Sequence, residues 1–194
     1  GVREWTLKLL PTPSTPERSF SDDPLRMTRA ARFAAQRHCE IDELALQAIG
    51  SMKERIAIVS AERVRDELIK LLMSDGPRIG LSILVESGLA EFVLPELPKL
   101  KLEIDEHHRH KDVYEHSLTV LDQAIGLEAR VGGTDLTLRL AALLHDIGKP
   151  KTRAFIAGGG VSFHHHEVVG AHLAKARLKA LRFDKQTVED VSML

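Results

Sequence analysis

Leu143-Leu144-His145-Asp146-Ile147-Gly148-Lys149-Pro150 closes a run, Leu136 to Leu144, in which almost every residue is Leu or Ala. Such a run predicts a helix buried on most sides. Buried polar groups need partners, so an imidazole and a carboxylate side by side at its end require explanation. Two readings are open. The pair is either a helix terminus bonded to neighbouring backbone, or a cation site favoured by the partial negative charge at a helix's carbonyl end. Gly148 and Pro150 predict that the helix stops here, as a glycine past the end and a proline beyond it commonly do.

The composition around this stretch is that of an ordinary soluble chain: 194 residues, 43% hydrophobic, net charge −1 and a single cysteine. One cysteine excludes an internal disulfide framework and a cysteine-rich zinc site, and fits a reducing, cytoplasmic compartment. No apolar run approaches the roughly 20 residues that span a bilayer, so no membrane partner is expected. Gly1-Val2-Arg3-Glu4-Trp5 is not a secretory signal and reads as mid-protein sequence. A balanced net charge leaves any nucleic-acid contact to a local cluster. Of ten histidines, nine lie between His107 and His172, which separates a His-poor first half from a His-rich second half.

Pro11, Pro13 and Pro16, with Ser and Thr between them, predict an extended linker over residues 1–22. Ser21-Asp22-Asp23-Pro24 predicts a helix start, with the helix running to about Arg37. Further helices are expected over Ile41–Ile49, from the Ser60 cap to about Met73, and over Arg78–Glu86. Pro95 and Pro98 bracket a domain boundary, giving a helical unit over 23–100 and a second over 101–194. The second unit should hold helices over Val113–Ala129, up to Leu144, from His164 to about Leu181, and from Lys185 onward. A small hairpin is expected near 153–163, around Gly158-Gly159-Gly160. The fold class is therefore all-α with one β-hairpin.

His116 falls on the apolar side of its helix, His145-Asp146 ends the next, and His164 to His166 opens a third. Three helices can bring these residues to one point. Neutral imidazoles with a carboxylate suit a divalent metal (Mg, Mn, Ni, Fe or Zn) that activates water for phosphoester hydrolysis. Lys149 is a candidate phosphate contact. His116, then His145-Asp146-Ile147-Gly148-Lys149-Pro150, then Phe163-His164-His165-His166-Glu167 resemble the ordered motifs of the HD superfamily of metal-dependent phosphohydrolases. The resemblance implies His116, His145, Asp146 and His166 as metal ligands, with Asp146 and Lys149 as catalytic residues. It further implies a last ligand on the final helix, either Asp190 or a residue beyond Leu194. The loop Glu106-His107-His108-Arg109-His110 reads as solvated.

Arg26, Arg29, Arg32 and Arg37 spread over roughly 140° of one helix, a single basic face. Asp23 and Arg26, three apart, can meet there and together carry the donors and acceptor needed to read a base edge. Asp23 is equally an N-cap, and a basic face is equally a solvated one. Ser19 through Phe33, followed by Ser60-Ala61-Glu62-Arg63-Val64-Arg65-Asp66-Glu67-Leu68 and Lys70, resembles the neck of class II tRNA nucleotidyltransferases (CCA-adding enzymes) and bacterial poly(A) polymerases. In that family an acidic-Asp-x-x-Arg motif templates incoming CTP or ATP, and Asp22, Asp23 and Arg26 match it, with Asp22 in place of the usual Glu. Arg29 and Arg32 are then expected RNA contacts, and the partners are a tRNA 3′ end or other RNA with CTP or ATP. Within the Ser60 helix an ion pair from Arg63 to Glu67 is expected. The nucleotidyl-transfer head, with its Gly-rich turn and paired carboxylates, has no match in these residues. The expected whole is a neck plus a metal-dependent HD unit of such an enzyme. The alternative is a stand-alone HD phosphohydrolase acting on nucleotide or RNA phosphates.

Overall fold

The computed structural model describes residues 15–102, 112–156 and 161–193. It consists of helices and a single described two-stranded sheet, and divides into two compact units between Val93 and Leu94. Among the described residues no helix is long and apolar enough to cross a membrane.

The first unit holds α1 (Pro16–Asp22), α2 (Leu25–Arg37), α3 (Glu43–Met52), α4 (Ala61–Leu72), α5 (Pro77–Glu86) and the short α6 (Ala90–Val93). α2 is its centre, packed against α4 and α5. Its inward stripe is built from small residues, Ala30, Ala31, Ala34 and Ala35, all buried. Small side chains let the neighbouring backbones come close. At Gly80 of α5 a methyl group would stand 2.8 Å from both the Ala31 carbonyl oxygen and the Leu71 side chain. Phe20, Ile49, Leu71, Leu72 and Leu81 fill the remaining core.

The start of this unit corrects the expectation of an extended linker through residue 22. Thr15 accepts from the Arg18 amide at 3.4 Å, and Pro16 takes the first helical position, where its missing N–H costs nothing. Phe20 then reaches the core with no exposed surface. The remainder of the expected linker lies outside the described residues. The cap read at Ser60 is present, its side chain accepting from the Arg63 amide at 3.4 Å.

The second unit holds α7 (Val113–Leu127), α8 (Leu136–Leu144), α9 (Lys149–Thr152), β1 (Ala154–Phe155), β2 (Val161–Ser162), α10 (His166–Ala180) and α11 (Lys185–Met193). α7 packs on α8, α8 on α11, and α10 on both α9 and α11. Leu118, Leu121, Leu143, Ile147, Phe163 and Leu178 form the core. Asp112 and Asp135 cap α7 and α8, accepting from the Tyr114 and Leu138 amides at 3.0 Å each. Glu128 and Arg139, both buried, form a forked ion pair at 2.6 and 2.7 Å. The sheet is the expected hairpin, antiparallel, with Ala154 opposite Ser162 and Phe155 opposite Val161. The Gly158-Gly159-Gly160 turn assigned to it lies outside the described residues.

Gly148 and Pro150 act differently from the expectation. α8 ends at Leu144, a tight turn comes next, and Pro150 falls in the first turn of a new helix, α9. Gly148 has φ −78, which any residue adopts, so it is not a left-handed cap. Its smallness serves a close approach. A methyl group there would overlap the His166 carbonyl oxygen and lie 2.7 Å from the Gly170 amide nitrogen.

Candidate metal centre

The α8–α9 turn and the start of α10 therefore meet backbone to backbone at Gly148 and Gly170. That contact places His145 and Asp146 from one segment against His166 from the other. α7, packed on α8, supplies His116. Asp146 is 2% exposed and sits in the middle. Its Oδ2 lies 3.1 Å from His145 Nε2, 3.0 Å from Lys149 Nζ and 3.9 Å from His116 Nε2, and its Oδ1 lies 3.6 Å from His166 Nε2. The ligand atoms of His116, His145 and Asp146 all lie within 4.8 Å of one another. The His116 and His145 rings meet edge to face, centroids 5.4 Å apart.

Two of the imidazoles are oriented by their own backbone. His145 Nδ1 lies 2.8 Å from the Ala142 carbonyl oxygen and His166 Nδ1 2.8 Å from that of Phe163. An Nδ1–H donated to each carbonyl turns Nε2 toward the carboxylate, and Nε2 is the atom such a ring would offer to a metal. Lys149 is buried, with its ammonium 5.6 Å from the Phe163 ring centroid.

Burial alone would lower the His145 pKa and raise that of Asp146. For His145, the adjacent Asp146 carboxylate outweighs burial and holds the pKa above the ordinary histidine value. For Asp146, the neighbouring His145 and then Lys149 side chains outweigh it, and the pKa falls to about 2. Asp146 is thus an anion throughout the physiological range. Although close to three nitrogens, its buried Oδ2 meets none of them in hydrogen-bond geometry. A buried carboxylate oxygen with an unpartnered lone pair, beside two imidazole Nε2 atoms, has the donor set of a divalent transition metal. The residues present fit the ion.

The expected ligand His166 is not one of the three clustered residues and meets the group at Asp146 Oδ1; His164 and His165 also lie outside it. Both are exposed in the turn before α10, His165 with a left-handed backbone. Asp190 accepts from Gln186 of its own helix at 2.8 Å and is not among the clustered ligands. The loop His107, His108 and His110 lies outside the described residues.

In the first unit, Asp23 Oδ1 accepts from the Leu25 amide at 3.2 Å, a local turn that leads into α2 one residue ahead of its Pro24 cap position, and its carboxylate lies 3.6 Å from Arg63 and 3.9 Å from Arg29. Arg26 donates to the Ser19 hydroxyl at 2.9 Å and is exposed. Glu67, 4% exposed, takes Arg32 at 2.7 Å and Arg29 at 3.3 Å. Arg32 further bonds Gln36 and stacks on Phe33 at 4.1 Å. The expected Arg63–Glu67 pair is thus replaced by pairs between elements, because a buried carboxylate is best satisfied by the forked guanidinium groups aimed at it from α2. Reading the sequence missed Glu67 as the clamp. The signal was present, since Glu67 lies three residues after Val64 and four before Leu71, on the apolar stripe of α4.

Comparison with known proteins agrees with both units. Residues 39–100 match the domain family described as "Probable RNA and SrmB-binding site of polymerase A", and residues 113–193 match the HD domain. An A-adding tRNA nucleotidyltransferase of Deinococcus radiodurans is 36% identical over 92% of this chain and 42% of its own length. A CC-adding tRNA nucleotidyltransferase of Thermus thermophilus is 35% identical over 100% of this chain and 45% of its own. A multifunctional CCA protein of Neisseria gonorrhoeae is 35% identical over 88% and 41%. The chain spans less than half the length of these curated relatives.

Proposed function

For a chain that carries the RNA-binding and HD domains of the tRNA nucleotidyltransferase and poly(A) polymerase family, we propose a role in extending RNA 3′ ends with CTP or ATP. This chain supplies the nucleotide-selecting neck and a metal-dependent HD phosphohydrolase unit. The order of the two matched domains and the three named relatives support the parent activity. In the neck, Asp23 and Arg26 present an acceptor and a donor fork to the incoming base. Arg29 and Arg32 are RNA contacts fixed from below by Glu67. Arg26→Ala in the intact enzyme should lower discrimination between correct and incorrect nucleotides by about tenfold, the scale of one lost base-edge pair. Unchanged selection in a nucleotide-competition assay refutes the assignment.

The observation that carries the HD unit is the convergence of imidazole Nε2 atoms on the buried Asp146 carboxylate. His116, His145, Asp146 and His166 would hold a divalent ion. Such an ion, when bound, polarises a phosphate oxygen and lowers the pKa of its water. Asp146 supplies the anionic ligand and holds the Lys149 ammonium beside the centre, where it can take a phosphate oxygen. His145→Ala should weaken Mn²⁺ and Ni²⁺ binding by titration calorimetry roughly 100-fold or more, beyond the 10–100-fold cost of an outer partner. Turnover of bis(p-nitrophenyl) phosphate should fall with it. Purified protein that binds neither ion and shows no His145-dependent turnover sinks this reading. The alternative, a phosphohydrolase working without a nucleotidyl-transfer head, is favoured if turnover on RNA phosphates persists while Arg26→Ala changes nothing.

A further inference from the structure

The two segments that carry the centre are joined by residues 147–166, twenty positions without one Asp or Glu, to which Lys149, Lys151 and Arg153 add three cations. The hairpin lies within this span. β1 comes after α9, whose first residue, Lys149, contacts Asp146. β2 runs into the buried Phe163, whose ring lies beneath the Lys149 ammonium and whose carbonyl fixes His166. The foot of the hairpin is thus anchored to the candidate centre at both ends. Its first strand is not core: Phe155 is 78% exposed and Ile156 53%. The Arg153 guanidinium lies 4.9 Å from the Phe155 ring centroid, and Lys151 is exposed one turn earlier.

An exposed ring steadied by a guanidinium, in a stretch of cations free of acidic residues, has the makings of a nucleic-acid surface. Aromatic faces stack any base, and neighbouring cations take the phosphates. A protein-docking face would be expected to exclude lysines rather than gather them. We propose that Phe155, supported by Arg153 and flanked by Lys151, is a stacking platform for a base of single-stranded RNA whose terminal phosphate enters the HD centre. This rests on the phosphohydrolase reading and gives it a substrate class, an RNA end rather than a small phosphate ester.

The test uses the full chain with Trp5→Phe and Phe155→Trp, which leaves one indole, at the platform. An octamer of adenylate is titrated in EDTA, so that no metal is needed. The indole emission should be quenched to saturation, and adding Arg153→Ala should shift the titration midpoint about tenfold upward. An octamer of abasic ribose phosphate, which keeps the charges and lacks the bases, should leave the emission unchanged. Equal quenching by both oligomers overturns stacking. No quenching by either overturns the platform and leaves the hairpin to a protein partner. Quenching by adenylate alone sustains the platform even where the metal titrations fail, so the two proposals fall separately.

Discussion

Gly148→Ala is expected to cost the second unit roughly 3 kcal/mol, the upper end for an overpacked site, and to abolish metal binding. The clash is with backbone, the His166 carbonyl and the Gly170 amide, so no side-chain rotation relieves it. Relief requires α10 to move away from the α8–α9 turn. That movement carries His166 Nε2 from its place 3.6 Å from the Asp146 carboxylate. Urea denaturation followed by circular dichroism, with Mn²⁺ titration beside it, measures both effects. Gly126→Ala is the control. Nothing lies within 4 Å of a methyl group there, in the last turn of α7, and alanine should stabilise by about 0.4–1 kcal/mol by restricting the unfolded chain. A Gly148→Ala protein as stable as its parent would refute the close approach as the reason for the glycine.

Arg139→Met should destabilise the same unit by about 3–5 kcal/mol at pH 7, because it strands Glu128 as a buried anion. The pH dependence has a defined sign. In the parent, the hydrogen bonds from Arg139 outweigh burial and hold the Glu128 pKa below its ordinary value. The pair's contribution is then complete above the unfolded carboxyl pKa, and is lost as pH falls through the folded one. In the variant the partner is gone, burial raises the Glu128 pKa, and protonation relieves the penalty. The stability difference between the two proteins should therefore narrow between pH 7 and pH 4. A gap that is constant with pH would show that lost packing, not stranded charge, dominates.

Much of this architecture was legible because its signals are local. Ser60 caps where a short acceptor precedes an apolar run, and α8 was readable from Leu and Ala alone. The grouping of His116, His145 and Asp146 was legible for a related reason. His116, on the apolar side of α7, and His145-Asp146, at a buried terminus, are polar where periodicity asks for apolar. The misses share a cause. Pro16 and Pro150 read as breakers, yet each sits in the first turn of a helix, a role set by the residues C-terminal to the proline. Gly148 read as a helix stop, whereas its smallness answers to Gly170, twenty-two positions later in the chain. The Glu67 clamp needs arginines thirty-five and thirty-eight positions away. Pairings of that range are decided by packing, and only the place of Glu67 on an apolar stripe announced that a partner would be required.

The carbonyl contacts of His145 and His166 share one pattern, each ring turned toward the peptide oxygen three residues before it. Each ring is thus aimed by its own stretch of backbone before any ligand arrives. The rotamer and tautomer freedom of both side chains is surrendered during folding, so little of it is left for an incoming ion to remove. Exchange of one divalent ion for another should then be governed by ion size and softness, with similar small ordering entropies for each. As a metal centre, the site would act as a mould set in advance, its imidazoles aimed by the peptide chain around them.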